Sequence, residues 1–232
     1  MAAANIRVPN VSQESGEATS FNIKTSSLHV HRDDDLDICI VRNSNEQKRT
    51  IFDTFFYSGL HDILNPRNIT VVYAVAEITT QDGCGSEPEI IIGKNQQHHF
   101  HAETDLINKL YSFFVTSQRI VNIKIWINFS PCHRCSQKLS SFYQDKCLSI
   151  DSLVIVFPFL YRITLPKSVE GLQTLKSNGI SLSTFSSEDW KQLQLLLNAS
   201  GLDYTTDDRD ARTTQDERNA EKFLQLMTIT VC

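Results

Sequence analysis

The pattern His101-Ala102-Glu103, then 27 residues, then Pro131-Cys132-His133-Arg134-Cys135 constrains this chain more than anything else in it. One imidazole and two thiolates can hold a zinc ion in tetrahedral geometry and leave a fourth position for water. The spacing predicts that His101 and Glu103 begin one helix, and that Cys132 and Cys135 stand at i and i+3 at the start of another. Residues three apart share a helix face, so both sulfurs can point at one ion. The partial positive charge of a helix N-terminus favours thiolate over thiol there. Pro131 suits a first turn, where its missing N–H costs nothing. Zinc lowers the pKa of a bound water from ~16 to about 7, and Glu103 is placed to move that water's protons. A structural zinc site usually shows four protein ligands, and the obvious count here is three. His133 could complete such a set, and His98 and His99 are near in sequence. Three ligands with an open position is the reading adopted.

The rest of the chain supplies a scaffold for that meeting point. Helical periodicity begins near Gln47, places Ile51, Phe55, Leu60 and Ile63 on one face, and stops at Asn65-Pro66. Residues 69–78 and 90–92 form a hairpin across a turn that contains Gly83 and Gly85. A helix over 104–116, a strand over 120–129 and a helix over 132–144 follow. The run 153–160 is almost continuously apolar, as in a central strand buried on both faces. A helix over 168–177 closes at Asn178-Gly179, a last strand covers 180–185, and Ser187 caps a helix over 188–197. This order implies an α/β fold, a mixed five-stranded sheet with helices on both faces and a parallel pair at the far side. Residues 1–45 read as a disordered polar extension, 46–200 as the folded domain, and 201–232 as an acidic linker and C-terminal helix. Phe223, Leu226, Ile229 and Val231 fit a docking segment or, more simply, the packing of that terminal helix.

Charge and cysteine usage narrow the setting. The net charge is −5, yet residues 46–200 hold fourteen side chains of each sign, so the acidity lies in the tails. A neutral core permits a nucleic-acid partner without advertising one. No stretch reaches the roughly 18–20 apolar residues of a membrane span, and residues 1–9 lack the pattern of a secretory signal. The expectation is a protein of the cytoplasm or nucleus, not secreted, with Cys39, Cys84, Cys147 and Cys232 as free thiols.

The H-x-E…P-C-x-x-C signature is that of the zinc nucleobase deaminases. Within them, Ser130-Pro131-Cys132-His133-Arg134-Cys135, the strand ending Phe159-Leu160-Tyr161, and the run Glu170 to Leu175 with Gly179-Ile180 and Trp190 beyond resemble the AID/APOBEC family. The resemblance covers about residues 48–200 and implies a cytidine-deaminase-like three-layer fold, Zn2+ as cofactor and cytosine in single-stranded DNA or RNA as substrate. It implies catalysis by Glu103 and metal binding by His101, Cys132 and Cys135. It also implies substrate contacts from Thr70, Asn95 (or Gln96), Phe129, Ser130, Tyr161 and Arg162. Two departures stand out. Phe129 occupies a place where the family commonly has tryptophan, and the core is neutral where polynucleotide mutators are often basic. Arg67, Lys94, Arg162 and Lys167 are the candidates for a local positive rim. A free cytidine or deoxycytidine deaminase and a non-catalytic, zinc-stabilised nucleic-acid-binding protein remain the alternatives. The otherwise unneeded Glu103 argues against the second.

Overall fold

A computed structural model of the protein describes residues 45–60, 71–80, 87–95, 101–199, 201–202 and 204–228. The N-terminal stretch, Arg67, Thr70, Gln96, His98, His99, Cys39, Cys84 and Cys232 lie outside these residues. In chain order the elements are α1 (Asn45–Tyr57), β1 (Tyr73–Thr80), β2 (Glu89–Lys94), α2 (Ala102–Thr116), β3 (Val121–Ile127) and α3 (His133–Asp145). They continue with β4 (Ile150–Phe157), α4 (Pro166–Ser177), β5 (Ser181–Thr184), α5 (Ser187–Leu196) and α6 (Thr206–Thr228). The strands form one mixed sheet in the order β2-β1-β3-β4-β5. β1 runs antiparallel to β2 and β3, and β3, β4 and β5 are parallel. This is the α/β class the sequence implied.

Strand alternation divides the core into two layers. Ala74 and Ala76, Ile123 and Ile125, and Leu153 and Ile155 face α2, α3 and α4, where Leu106, Leu110, Leu139, Phe142, Leu172 and Leu175 cover them. Val75, Trp126 and Val156 face the other way, against Ile51, Phe52, Phe55 and Phe56 of α1 and Leu193 of α5. Ile125 lies beside Ala76 on one side and Ile155 on the other, which locks both registers at the sheet centre.

Three local expectations are corrected. α1 stops at Tyr57 instead of continuing through Leu60, because Gly59 turns the backbone left-handed (φ +76°) and the Phe159 ring packs where a Cβ would stand; the expected helix end at 61–66 lies outside the described residues. α5 is capped by Ser186, not Ser187. The Ser186 hydroxyl accepts from the Asp189 N–H at 3.3 Å while the Asp189 carboxylate accepts the Ser186 N–H at 2.9 Å, a reciprocal capping box. At the C-terminus the expected helix is present but begins earlier: α6 takes in residues read as an acidic linker and runs for 23 residues. Its buried stripe is Arg212, Gln215, Asn219 and Phe223, at helical spacing but mostly polar. The Phe223 ring meets Phe157 edge-on at 5.5 Å, so this residue packs into the domain.

Side chains of α2 cap two main-chain groups on the outer edge of β2. Asp105 Oδ2 accepts the Lys94 N–H at 3.0 Å, and Lys109 Nζ donates to the Ile92 carbonyl at 2.8 Å. The two side chains pair with each other at 2.9 Å.

Candidate metal centre and substrate cleft

The residues directly before α2 and α3 are His101 and Cys132, both with extended backbone (φ −73° and −70°), and Cys135 is the third residue of α3. Each first turn rests on bare glycine backbone. A side chain at Gly93 of β2 would overlap the Ala102 carbonyl. At Gly171 of α4, a Cβ would stand 2.9 Å from Ser136 Oγ and 3.0 Å from His133 Cα. A glycine within a strand often marks such close approach. The run Ile90-Ile91-Ile92-Gly93 carries that signal in the sequence.

The result is a compact donor set. His101 Nδ1 lies 3.5 Å from Cys132 Sγ and 3.3 Å from Cys135 Sγ, and the three donor atoms lie within 4.8 Å of one another. A tetrahedral zinc with Zn–N near 2.0 and Zn–S near 2.3 Å sets its nitrogen and sulfur ligands about 3.5 Å apart. The residues therefore fit the ion, with Nδ1 as the histidine donor.

Electrostatics around the set agree. The Cys135 thiol hydrogen-bonded to it holds Cys132 down at about 5 against the cost of burial, with help from the Cys135 N–H and the His101 ring. Cys135 is pushed up, first by that same hydrogen bond and then by burial. The pair thus shares one proton, which a bound cation would displace. Glu103 is 5% exposed, and burial raises its carboxyl above the usual range.

Residues 51–229 match the model of the invertebrate AID/APOBEC deaminases. The chain belongs to that family. No curated protein matches it. Family and donor set together support a zinc-dependent deaminase, and the deaminase fold places most of the residues singled out from sequence around one cleft. His101, Glu103, Cys132, Asn95, Phe129, Ser130 and Tyr161 line it together with Val72 and Ala102, around an open cavity of about 150 Å3. Cys135 lies at the base of α3 beside them. Phe129 packs edge-on against Phe159 at 5.6 Å and Tyr161 at 6.1 Å, so the three rings form an aromatic wall. The Ser130 hydroxyl accepts the Tyr161 N–H at 2.8 Å, which ties the two loops of that wall together. Asn95 Oδ1 accepts the Val72 N–H at 2.8 Å.

The described basic candidates, Lys94, Arg162 and Lys167, are not among these lining residues. Arg162, with left-handed backbone (φ 49°), stacks its guanidinium 5.0 Å from the Tyr161 ring centroid. Lys94 reaches over Tyr73 at 5.7 Å. No described lining residue is Lys or Arg. Sequence reasoning missed Asn128, which is wholly buried: its Oδ1 accepts the Tyr73 N–H at 2.6 Å and its Nδ2 donates to Ser58 Oγ at 3.2 Å. Its position just before Phe129 was the available signal. No described helix is long and apolar enough to cross a membrane.

Proposed function

We propose that the protein hydrolyses cytosine to uracil in single-stranded polynucleotide, DNA in preference to RNA, with His101, Cys132 and Cys135 as zinc ligands and Glu103 as the proton carrier. The observation that supports this reading is the buried carboxyl of Glu103 in the same cleft as the three donors. Metal binding alone needs no such group. Zinc held by these residues would lower the pKa of water to about 7 and so supply the nucleophile at neutral pH. Glu103 takes one proton of that water and delivers it to ring N3, and the water oxygen adds to C4. The second proton then passes through Glu103 to the exocyclic amine, the C4–N bond breaks, and ammonia departs. Burial suits this role, because an enclosed carboxyl keeps its proton for the reaction partners. Phe129 and Tyr161 would sandwich or flank the base, and Asn95, Ser130 and Arg162, with Thr70, would contact the nucleotide around it.

A single strand offers its bases without the few kcal/mol needed to flip one out of a duplex. The absence of Lys and Arg from the described lining favours a free nucleoside as the second reading. One assay separates the two: deamination of single-stranded DNA, RNA and free cytidine side by side at low salt, with Glu103→Ala as control. Faster turnover of the DNA strand supports the proposal. Preference for free cytidine replaces it with the nucleoside enzyme, and zinc-loaded protein inactive on all three replaces it with a binding protein.

A further inference from the structure

The cleft has two halves with separate supports. The ligand half hangs on the first turns of α2 and α3, which Gly93, Gly171 and the apolar core hold in place. The aromatic wall hangs on the loops after β3 and β4, and its support comes from the far end of the chain. Arg212 of α6 is 2% exposed, and its guanidinium reaches three backbone carbonyls. Nη1 donates to Ser58 at 2.8 Å and Phe56 at 3.3 Å, and Nη2 donates to Pro158 at 3.4 Å. Asn219, two α6 stripe positions beyond, donates to the same Pro158 carbonyl at 2.6 Å. Asp216 fixes the guanidinium at 2.7 Å and is itself held by the Trp190 indole N–H at 2.7 Å.

Each bound segment leads into the wall. Pro158 precedes Phe159, whose carbonyl accepts the Ser130 N–H at 2.8 Å, and Tyr161 follows two residues later. Ser58 receives the Asn128 side chain, and Asn128 directly precedes Phe129. None of these Arg212 contacts touches α2, α3 or the three donors. A fork of fixed N–H directions can serve several carbonyls at once, which an ammonium cannot do with the same geometry.

We infer that Arg212, seated by Asp216 and assisted by Asn219, is a positioning residue that sets the aromatic wall of the cleft, and with it substrate binding, independently of the metal half. The substrate consequence rests on the deaminase reading above; the positioning itself does not. α6 is then a working part of the catalytic domain and not an appendage to it.

Two variants test this in the full-length, zinc-loaded protein. Arg212→Lys keeps the charge beside Asp216 and loses the fork. R212M/D216L replaces the buried pair by apolar side chains of similar volume, an exchange that folds commonly tolerate, and so covers the case in which the single variant does not fold. Amide hydrogen exchange should quicken by about tenfold or more at 129–130 and 159–161 while residues 103–107 and 135–139 keep wild-type rates, because only one local unit has lost its anchor. Zinc content should equal that of the wild type. With a cytosine-containing single-stranded oligonucleotide, KM should rise about tenfold with kcat within about threefold, the mark of lost binding in place of lost chemistry. Unchanged exchange and KM in a folded variant would show that α6 merely packs. Exchange that rises evenly across the domain, or a fall in kcat and zinc at constant KM, would equally overturn the proposal. Should the wild type turn over no cytosine substrate, the functional reading fails, and the exchange pattern still decides whether Arg212 positions the wall.

Discussion

The metal-ligand half of the cleft and its aromatic wall line the same cavity, yet opposite physics holds them. The ligand half is local and apolar. Its donors sit at two helix starts, and helix spacing, glycine contacts and a Leu, Ile and Phe core place them. The wall is remote and polar, tied to a helix 154 residues beyond Ser58 by a buried guanidinium and a buried amide. The first arrangement tolerates little change in side-chain volume, and the second little change in hydrogen bonding.

The sharpest way to break the comparison is at Glu103. Glu103→Ala should abolish turnover while zinc content and folding stay near wild type, because the carboxyl carries protons and is not a ligand. Cys132→Ala or Cys135→Ala should instead lose metal and stability together, since a three-ligand site with one removed binds poorly. Metal analysis beside a deamination assay separates the two outcomes, and full zinc occupancy without either cysteine would reassign the ligand set.

Steric substitutions come next. Gly171→Ala puts a methyl group 2.9 Å from Ser136 Oγ and 3.0 Å from the His133 backbone, so α4 or α3 must shift. Overpacking of this kind costs about 1–3 kcal/mol. Gly93→Ala, opposed by the Ala102 carbonyl and by the N–H and Cβ of Leu106, should cost more than Gly171→Ala in urea unfolding and weaken zinc retention. Equal stability to wild type in both would mean that the first turns of α2 and α3 are not held as tightly as described.

On the wall side, Tyr161→Ala should weaken binding of a single-stranded oligonucleotide by about 1–3 kcal/mol, the contribution of one stacked base, with zinc content unaffected. A titration that shows no loss would leave Tyr161 a packing partner of Phe129 only.

What could be read from sequence follows the same divide. The donors and Glu103 are visible because one element's spacing determines how its own side chains point. The mixed sheet is visible because strand alternation and apolar runs are also local. A C-terminal helix was legible, but the inward face of α6 was not, because its buried stripe is Arg212, Gln215 and Asn219, residue types that ordinarily mean solvent. Only the Phe56, Ser58 and Pro158 carbonyls waiting in the folded chain make them inward-facing, and no window of sequence contains both partners. The end of α1 was hidden in the same manner: Gly59 reads as a tolerated interruption until the Phe159 ring is seen packed over it.

The smallest predicted effect sharpens this contrast through acid. Burial opposes the charge on Asp189, but hydrogen bonds from Lys124 and Ser186 outweigh it and hold the carboxyl below its usual value. Its folded pKa lies under the unfolded one, so the capping contribution is complete above about pH 4 and is lost as pH falls through the lowered value. Asp189→Ala should therefore cost about 1 kcal/mol at neutral pH, a typical capping contribution. The gap between the wild-type and variant urea midpoints should close as pH drops toward 3. Because α5 carries Trp190, which holds Asp216, a loosened cap should be felt at the wall before it is felt at the zinc ligands.

The ion pair of Asp105 and Lys109 has a consequence beyond the cleft. An uncovered rim of Ile90-Ile91-Ile92 would be a template onto which another copy, or any extended peptide, could zip by main-chain bonding. By occupying the Lys94 N–H and the Ile92 carbonyl, the two side chains take up two of the main-chain groups such a strand would need and interrupt its pairing register at that end of the rim.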